Sequence, residues 1–256
     1  MVLILQRYFV PEENWRESIV LIHDDDAHHI HRVMRCHEGD RIICNHPGGS
    51  AAICRIISIG PAEVRTSIDE WLSESAELPV DVTIAQGIPK SDKFELVLQK
   101  GTELGANAFI PVQSERSVAL WNDKKMEKKL SRFQKIVKEA SEQSHRNRIP
   151  DILQVLSVEK MAAYLDKYDV KLFAYEEEAK SMPGKSLGSV INNLEKGSNV
   201  LVYIGPEGGI SEKEAAVLTE HYFTPIRLGP RILRTETASL YVLASISYHL
   251  EELRCT

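Results

Sequence analysis

The chain has 256 residues and a formal net charge of −6, and 43% of its residues are hydrophobic and 27% charged. These proportions are normal for a soluble globular protein with one large domain or two ordinary ones. We expect a cytoplasmic protein with no membrane partner, because no apolar run approaches roughly 18 residues and the first seven residues lack the pattern of a signal peptide.

The cysteines and histidines form no recognisable disulfide or metal pattern. Without a secretory signal or a Cys-x-x-Cys pair, disulfides are not expected. Residues 36–54 are rich in Cys and His, but their spacing fits no standard zinc site. We therefore predict free cysteines, which are usually small buried apolar residues, and no metal.

The charges are unevenly distributed along the chain. Residues 90–148 contain 13 Lys and Arg against 8 Asp and Glu, a net charge of +5, so the remainder carries −11. A basic face on an acidic chain is compatible with RNA binding, because only the contact surface must attract phosphate. A solvated helix face explains the same charges, and composition does not separate the two.

The first part of the chain has the pattern of a small β-barrel. Short apolar stretches are divided by Gly and Pro turns, and they lie at residues 3–5, 19–22, 41–44, 51–57 and 62–66. This spacing is typical of a barrel. One helix is predicted over residues 25–35, with Ile30, Val33 and Met34 on its apolar side.

An acidic, serine-containing stretch at residues 70–79 ends in Pro79 and predicts a domain boundary. We assign residues 1–72 to the barrel and residues 78–256 to a second domain. In the second domain strands alternate with helices, which predicts an α/β fold with a mainly parallel sheet covered on both faces.

The predicted elements of the second domain follow in chain order. Strands are expected at residues 80–85, 108–112, 170–175, 200–203 and 225–228. Helices are expected at residues 91–104, 123–144, 157–165, 186–194 and 235–253 and after Ser211. The last helix is apolar nearly all round and is therefore buried, either in the core or in a dimer interface.

Residues 205–209, which we call the glycine loop, join a buried strand to a helix. Three glycines in five residues permit positive φ and close approach to a ligand. The following Ser211 and Glu214 have the spacing of a helix capping box. The loop is not Gly-x-Gly-x-x-Gly, and Gly184-Lys185-Ser186 lacks the first glycine of a P-loop, so both of these phosphate-binding motifs are excluded.

Residues 228–234, which we call the arginine loop, leave the next strand through Gly229-Pro230 and contain Arg231 and Arg234. The glycine loop and the arginine loop follow two strands of one parallel sheet. Both should lie at the carboxyl ends of the strands, where such sheets bind ligands. A third strand end, near Ala174 and Tyr175, is expected beside them.

These segments resemble the SPOUT-class RNA methyltransferases, specifically the 16S rRNA uridine N3-methyltransferases. The resemblance is carried by the glycine loop with Glu214 and by Leu228-Gly229 with residues 232–238. Further blocks at Lys90 and Lys93, at residues 139–146 and near Arg7 and His28 are similar and occur in the same order. The likeness spans nearly the whole chain.

The resemblance implies a PUA-like β-barrel followed by a SPOUT domain with a trefoil knot, a homodimer, and S-adenosylmethionine as methyl donor. It places the cofactor against Ala174, Tyr175, Ile204, Gly205, Pro206, Glu207, Gly208, Gly209, Leu228, Gly229, Ile232, Leu233, Thr237 and Ala238. It implies methylation of N3 of a specific uridine in 16S rRNA of the small ribosomal subunit.

The chemistry requires loss of the uridine imide proton and stabilisation of the negative charge that results. Arg234 suits the second task, because a guanidinium donates in a fork and keeps its proton. Glu207 and Glu236 are candidate bases, but each could instead cap a helix or orient an arginine, and water could accept the proton. RNA contacts are expected from Arg7, His28, Arg32, Arg35, Lys90, Lys93, Arg116, Arg146 and Arg231.

Two other functions stay open. A non-enzymatic RNA-binding or ribosome-assembly protein could use the barrel and the basic helix face. A methyltransferase of the same class could act on tRNA, because the two loops do not determine which RNA is bound.

Overall fold

The structure, a computed structural model, describes residues 5–60, 62–121, 123–163, 167–175 and 185–253. The predictions for the strand at residues 3–5, the helix end at Leu165, the Gly184 motif and Cys255 lie wholly or partly outside these residues. None of the helices in the described ranges is long and apolar enough to cross a membrane.

The chain divides into two compact units. The first comprises Met1–Glu77 with Ser141–Arg148, and the second comprises Leu78–Ala140 with Ile149–Thr256. The strand and helix pattern placed residues 141–148 in the second domain, whereas the structure groups them with the first. That grouping depends on contacts between residues far apart in the chain.

The first unit contains a six-stranded mixed sheet with strand order β1-β4-β5-β6-β3-β2. Its strands are β1 (Arg7–Phe9), β2 (Trp15–Arg16), β3 (Ile19–His23), β4 (Arg41–Asn45), β5 (Ala51–Ile59) and β6 (Glu63–Leu72). β1 and β4 pair in parallel, and the other pairs are antiparallel. The inward residues, such as Tyr8, Val20, Ile42 and Val64, form one hydrophobic core.

The predicted helix of residues 25–35 is shorter and differently packed. α1 (Asp24–His28) continues into a π-helical turn at His29–Val33. Ile30 is fully buried, but Val33 and Met34 are 60% and 44% exposed. The predicted apolar side was therefore wrong for these two residues: the α-helical repeat ends before Ile30, so residues three and four positions after it need not share its buried face.

The second unit is built on an all-parallel sheet with strand order β10-β8-β7-β13-β11-β14-β12. One further strand, β9, pairs with β8. The strands are β7 (Asp81–Gly87), β8 (Ala108–Gln113), β9 (Asp151–Ile152), β10 (Leu156–Ser157), β11 (Val170–Ala174), β12 (Lys185–Ser186), β13 (Asn199–Ile204) and β14 (Thr224–Arg227). The predicted α/β class is confirmed. The knotted chain path stays a prediction.

Helices cover both faces of this sheet. They are α2 (Lys93–Glu103), α3 (Asp123–Gln143), α4 (Val158–Ala163), α5 (Leu187–Ile191), α6 (Glu212–Glu220) and α7 (Thr235–Ser247), which continues as a π-helix over Tyr248–Leu253. Along β13, Val200, Val202 and Ile204 pack into one core cluster, while Leu201 and Tyr203 pack into the other. This alternation explains why the strand is apolar throughout.

The capping residue predicted from the sequence is correct at one helix and wrong at another. At α6, Ser211 Oγ accepts a hydrogen bond from the Glu214 amide and the Glu214 carboxylate accepts one from the Ser211 amide, so the predicted capping box is confirmed. At α2 the N-cap is Asp92, which makes no side-chain capping bond, and the predicted cap Ser91 lies at φ +56°. α7 packs Val242, Leu243 and Ile246 into the core.

Candidate functional site

Three parallel strands end side by side at one edge of the second unit's sheet. The register places Ala174 of β11 opposite both Ile204 of β13 and Ile226 of β14. Their last residues therefore lie at one level, and the loops that follow leave from the same edge. This is the edge at which parallel sheets bind ligands.

The glycine loop is packed too closely for larger side chains at two of its positions. A Cβ on Gly205 would lie 2.8 Å from Ile210 Cγ1, and one on Gly208 would lie 2.8 Å from Arg116 Cβ. Gly209 adopts φ +72°, which favours glycine. The loop is held from outside by Arg116, whose Nη1 donates to the carbonyl oxygens of Gly208 and Ile210, both at 3.3 Å.

The arginine loop connects β14 to α7. It begins with a turn at Gly229, where φ is +84°, and it ends at Arg234, the N-cap residue of α7. Arg231 and Arg234 are exposed. Neither guanidinium makes a hydrogen bond or ion pair to another residue that the structure describes.

The two loops and the strand ends enclose a cleft of about 580 Å³. All of the residues predicted to bind the cofactor line it except Thr237. Residues that sequence reasoning did not assign to the cofactor also line it: Lys93, Arg116, Ile210, Ile226, Arg227, Arg231, Arg234 and Thr235.

A buried polar network joins the walls of this cleft, and the sequence analysis did not identify it. Thr235 Oγ1 donates to the carbonyl oxygen of Gly205 at 2.6 Å and accepts from Gln86 Nε2 at 2.7 Å. Ser239 Oγ donates to Gln86 Oε1 at 2.5 Å. Two signals could have revealed it: a polar Gln86 at the carboxyl end of a buried strand, and Thr235 and Ser239 at i, i+4 on one helix face.

Three charged side chains meet at the cleft. Lys93 Nζ lies 3.0 Å from Glu207 Oε1 and 3.4 Å from Glu236 Oε2. The hydrogen bond to Glu207 raises the pKa of Lys93. Burial acts to raise the pKa of Glu207, but hydrogen bonds from backbone amides and from Lys93 lower it overall. The structure thus brings both candidate bases against one lysine that was predicted to contact RNA.

The contact between Lys93 and Glu236 has the geometry of an ion pair. Glu236 Oε2 is buried and makes no well-formed hydrogen bond among the described residues, although the ammonium lies within 3.4 Å. The distance is short enough for strong attraction between opposite charges at a partly buried site. We therefore treat Lys93 as the charge partner of Glu236.

Comparison with known families identifies the chain. An RNA methyltransferase domain model matches residues 76–247, and an RNA methyltransferase PUA domain model matches residues 22–69. The chain belongs to the RNA methyltransferase family. The resemblance found in the sequence motifs is confirmed.

Relatives of this methyltransferase match it over nearly their full length. It is 45% identical over 253 residues to ribosomal RNA small subunit methyltransferase E of Bacillus subtilis. The match covers 98% of this chain and 99% of that protein. It is 32% identical over 234 residues to the protein of that name from Mycobacterium tuberculosis, over 90% of this chain and 86% of that protein.

Solved structures agree with this assignment. Ribosomal RNA small subunit methyltransferase E of Neisseria gonorrhoeae, bound to S-adenosylmethionine, has a TM-score of 0.82 at 28% identity over 95% of this chain and 97% of that one. A Legionella pneumophila methyltransferase with bound S-adenosylmethionine has a TM-score of 0.81 at 28% identity, with the same coverage of each chain.

In the first unit of the methyltransferase, two of the predicted RNA contacts are buried. Arg7 is 8% exposed and donates hydrogen bonds to His145 Nδ1, Asn45 Oδ1 and Asn147 Oδ1. Burial lowers the pKa of Arg7, and burial together with the Arg7 charge lowers the pKa of His145. Arg7 therefore ties β1 to residues 141–148 instead of presenting its guanidinium to solvent.

Arg146 is the second buried arginine. It is 2% exposed, and its Nη2 donates to Glu77 Oε2 at 2.5 Å. Glu77 Oε1 also accepts from the amides of Asn147 and Arg148. Arg146 therefore forms a buried ion pair, which argues against the predicted RNA contact at this residue.

The other predicted RNA-contacting residues are more accessible. His28, Arg32 and Arg35 are exposed on the first unit, and Lys90 and Arg116 are exposed on the second. The Lys90 backbone amide donates a hydrogen bond to Glu207 Oε1 at 3.2 Å, so the Lys90 side chain takes no part in that contact.

The cysteines and acidic residues form no metal centre in the part of the chain that the structure describes. Cys36, Cys44 and Cys54 are free thiols there. No cluster of three or more His, Cys, Asp or Glu in those residues could hold a metal ion.

Proposed function

We propose that the protein transfers a methyl group from S-adenosylmethionine to N3 of a specific uridine in 16S rRNA of the small ribosomal subunit. The observation that carries this proposal is the cleft at three parallel strand ends, on whose wall Arg234 is exposed and has no hydrogen-bond or ion-pair partner among the described residues. The names of the relatives from Bacillus subtilis and Neisseria gonorrhoeae support the same reaction class.

The cleft suits the proposed cofactor in size and chemistry. Its volume of about 580 Å³ lies within the ~300–1,000 Å³ usual for small-molecule sites. Ile204, Leu228 and Leu233 offer apolar surface to a flat base, and the glycine loop exposes backbone polar groups at close range. The bound S-adenosylmethionine would supply an electrophilic methyl group; the residues named here would hold and orient it.

Arg234 would stabilise the charge that develops on the uracil. When N3 loses its proton, negative charge spreads onto the neighbouring carbonyl oxygens, and a guanidinium can donate to such oxygens in a fork. Because Arg234 is the N-cap of α7, its backbone is held by a helix that is packed into the core. Positioned donors of this kind contribute a large share of catalysis.

Glu207 and Glu236 would orient the site and would not act as the base. Both carboxylates lie against Lys93, and the lowered pKa of Glu207 makes it a weaker proton acceptor. The proton of N3 would then leave to solvent water at the open side of the cleft. The contacts with Lys93 support charge orientation over the base role for both carboxylates.

The remaining parts of the proposal concern the partner RNA and the assembly. Arg231 and Arg116 at the cleft, and Arg32 and Arg35 on the first unit, would contact phosphates, which predicts weaker RNA binding as salt rises. We further propose a cytoplasmic homodimer, as the sequence resemblance implies. Gel filtration with light scattering would test the dimer, and a monomer at micromolar concentration would contradict it.

The central experiment is transfer of labelled methyl from S-adenosylmethionine to small ribosomal subunits isolated from cells that lack the modification. Mass spectrometry of the digested rRNA should show one new N3-methyluridine. Transfer to tRNA alone would assign a different RNA to the same chemistry. If calorimetry showed that the protein binds subunits but not S-adenosylmethionine, the protein would be an RNA-binding protein and not this enzyme.

A further inference from the structure

Lys93 connects three segments that meet at the cleft. It is the first residue of α2, while Glu207 lies in the glycine loop and Glu236 in the first turn of α7. Its ammonium is 3.0 Å from Glu207 and 3.4 Å from Glu236. One side chain therefore bridges the glycine loop and the helix that carries Arg234 at its N-cap.

We propose that Lys93 is a positioning residue of the cofactor cleft: its ammonium holds the glycine loop against the start of α7 and so sets the spacing of the two walls. This inference rests on the proposed function, because it names S-adenosylmethionine as the occupant of the cleft. It reassigns Lys93 from the RNA-contacting surface to the interior of the site.

The charges explain why a cation is needed at this place. The side chain of Glu236 is only 11% exposed, and an ionised carboxylate at such a site is costly unless it is paired. Lys93 is its charge partner, and Lys93 stays protonated because its hydrogen bond to Glu207 raises its pKa. Without the ammonium, two carboxylates would face each other no farther apart than the sum of the two ion-pair distances.

The glycine loop is also anchored to the segment just before α2. Glu207 also accepts a hydrogen bond from the Lys90 amide at 3.2 Å. The backbone just before α2 and the Lys93 side chain thus hold one carboxylate together. Loss of the ammonium would leave Glu207 with only the exposed hydrogen bond from the Lys90 amide and would set the two carboxylates in repulsion. Thr235 would still hold Gly205 to α7, so the part of the glycine loop around Glu207 would be less well held before the cofactor arrives.

The test compares Lys93→Met, Lys93→Arg and the unaltered protein by calorimetry with S-adenosylmethionine and by methyl-transfer kinetics on small subunits. Lys93→Met should raise the Kd and KM for S-adenosylmethionine about tenfold or more, as expected for loss of a charged hydrogen bond, while the KM for subunits changes little. Lys93→Arg should restore part of the affinity. Lys160→Met, an exposed lysine on α4, is the matched control and should leave both constants unchanged.

The dependence of cofactor affinity on pH separates positioning from a general loss of structure. In Lys93→Met, burial and the facing carboxylate both favour the protonated form of Glu207, so lowering the pH from about 8 towards the ordinary carboxyl pKa of about 4.3 should relieve the repulsion and tighten binding. The double variant Lys93→Met/Glu207→Gln removes the repulsion and should show little such dependence. The other charged groups lining the cleft are Arg116, Arg227, Arg231 and Arg234, and arginines do not titrate in this range.

Several results would overturn the assignment. An unchanged Kd for S-adenosylmethionine in Lys93→Met would do so, and a raised KM for subunits alone would return Lys93 to the RNA surface. An equal loss of affinity at every pH in single and double variants, with a lowered Tm, would indicate only a folding defect. If the unaltered protein itself binds no S-adenosylmethionine, the proposed function fails, which this comparison distinguishes from failure at Lys93.

Discussion

Arginines of the two units that were predicted alike from the sequence occupy opposite environments. In the first unit, Arg146 is 2% exposed and forms an ion pair with Glu77, and Arg7 is bound by Asn45 and Asn147. In the second unit, Arg234 and Arg231 are exposed beside the cleft, with no hydrogen bond or ion pair among the residues that the structure describes.

The difference follows from what each guanidinium can gain. A buried arginine must find carboxylate or amide acceptors within the protein, because an unpaired buried charge is too costly. An arginine at a ligand site keeps its donors available, so the partner that satisfies them comes from outside. Burial and pairing therefore distinguish arginines that hold the fold from arginines that are candidates for substrate contact.

The largest effect is expected from replacement of a buried arginine. Arg146→Met should lower the free energy of unfolding by about 3–5 kcal/mol, because it leaves Glu77 without its charged partner. Urea titration followed by circular dichroism would measure this. Arg148→Ala, which removes a neighbouring exposed arginine, is the control and should change stability by less than about 0.5 kcal/mol. Similar stability of both variants would contradict the assigned role of Arg146.

Arg234→Ala should have the opposite effect: it should impair the reaction and leave stability nearly unchanged. We expect methyl transfer to fall about 100- to 1,000-fold, the range for removing a positioned donor from developing charge, while Tm and the Kd for S-adenosylmethionine stay near their original values. Single-turnover transfer and calorimetry would measure the two quantities. Near-normal transfer would remove Arg234 from the reaction.

Arg116 is an intermediate case, since it is exposed but donates to two carbonyl oxygens of the segment that contains the glycine loop. Arg116→Ala should weaken S-adenosylmethionine binding by about 1.5 kcal/mol, or roughly tenfold, because the loop loses a charged hydrogen-bond donor. Arg132→Ala, an exposed arginine paired with Glu95, should leave this affinity unchanged. Binding calorimetry decides the matter, and equal affinities would show that the loop holds its shape without Arg116.

The smallest effect is expected at Arg231. If it contacts one phosphate, Arg231→Ala should reduce the salt dependence of subunit binding by about one in the log–log slope. Stability and cofactor affinity should not change, because the side chain makes no hydrogen bond or ion pair within the described part of the chain. Filter binding at several salt concentrations measures the slope, and an unaltered slope would place Arg231 outside the RNA contact.

Local patterns in the sequence predicted most of the longer strands and helices and the residues that line the cleft. The apolar run of β13 and the Ser211–Glu214 capping box depend on residues a few positions apart, so periodicity and spacing predict them. The two loops follow β13 and β14, which lie on either side of β11, and a parallel sheet brings the carboxyl ends of its strands to one edge. For this reason the residues predicted to bind the cofactor, apart from Thr237, line one cleft.

Only the tertiary structure determined which side chains are paired. Gln86 and Thr235 are 149 positions apart and Arg7 and Asn147 are 140 apart, and no local period encodes such a contact. Lys93 looked like a surface lysine of an amphipathic helix until the structure placed two carboxylates against it. Burial and charge pairing depend on which residues the fold brings together. A lysine that is exposed to water can contact RNA, whereas the same lysine beside a carboxylate forms an ion pair that stabilises the fold.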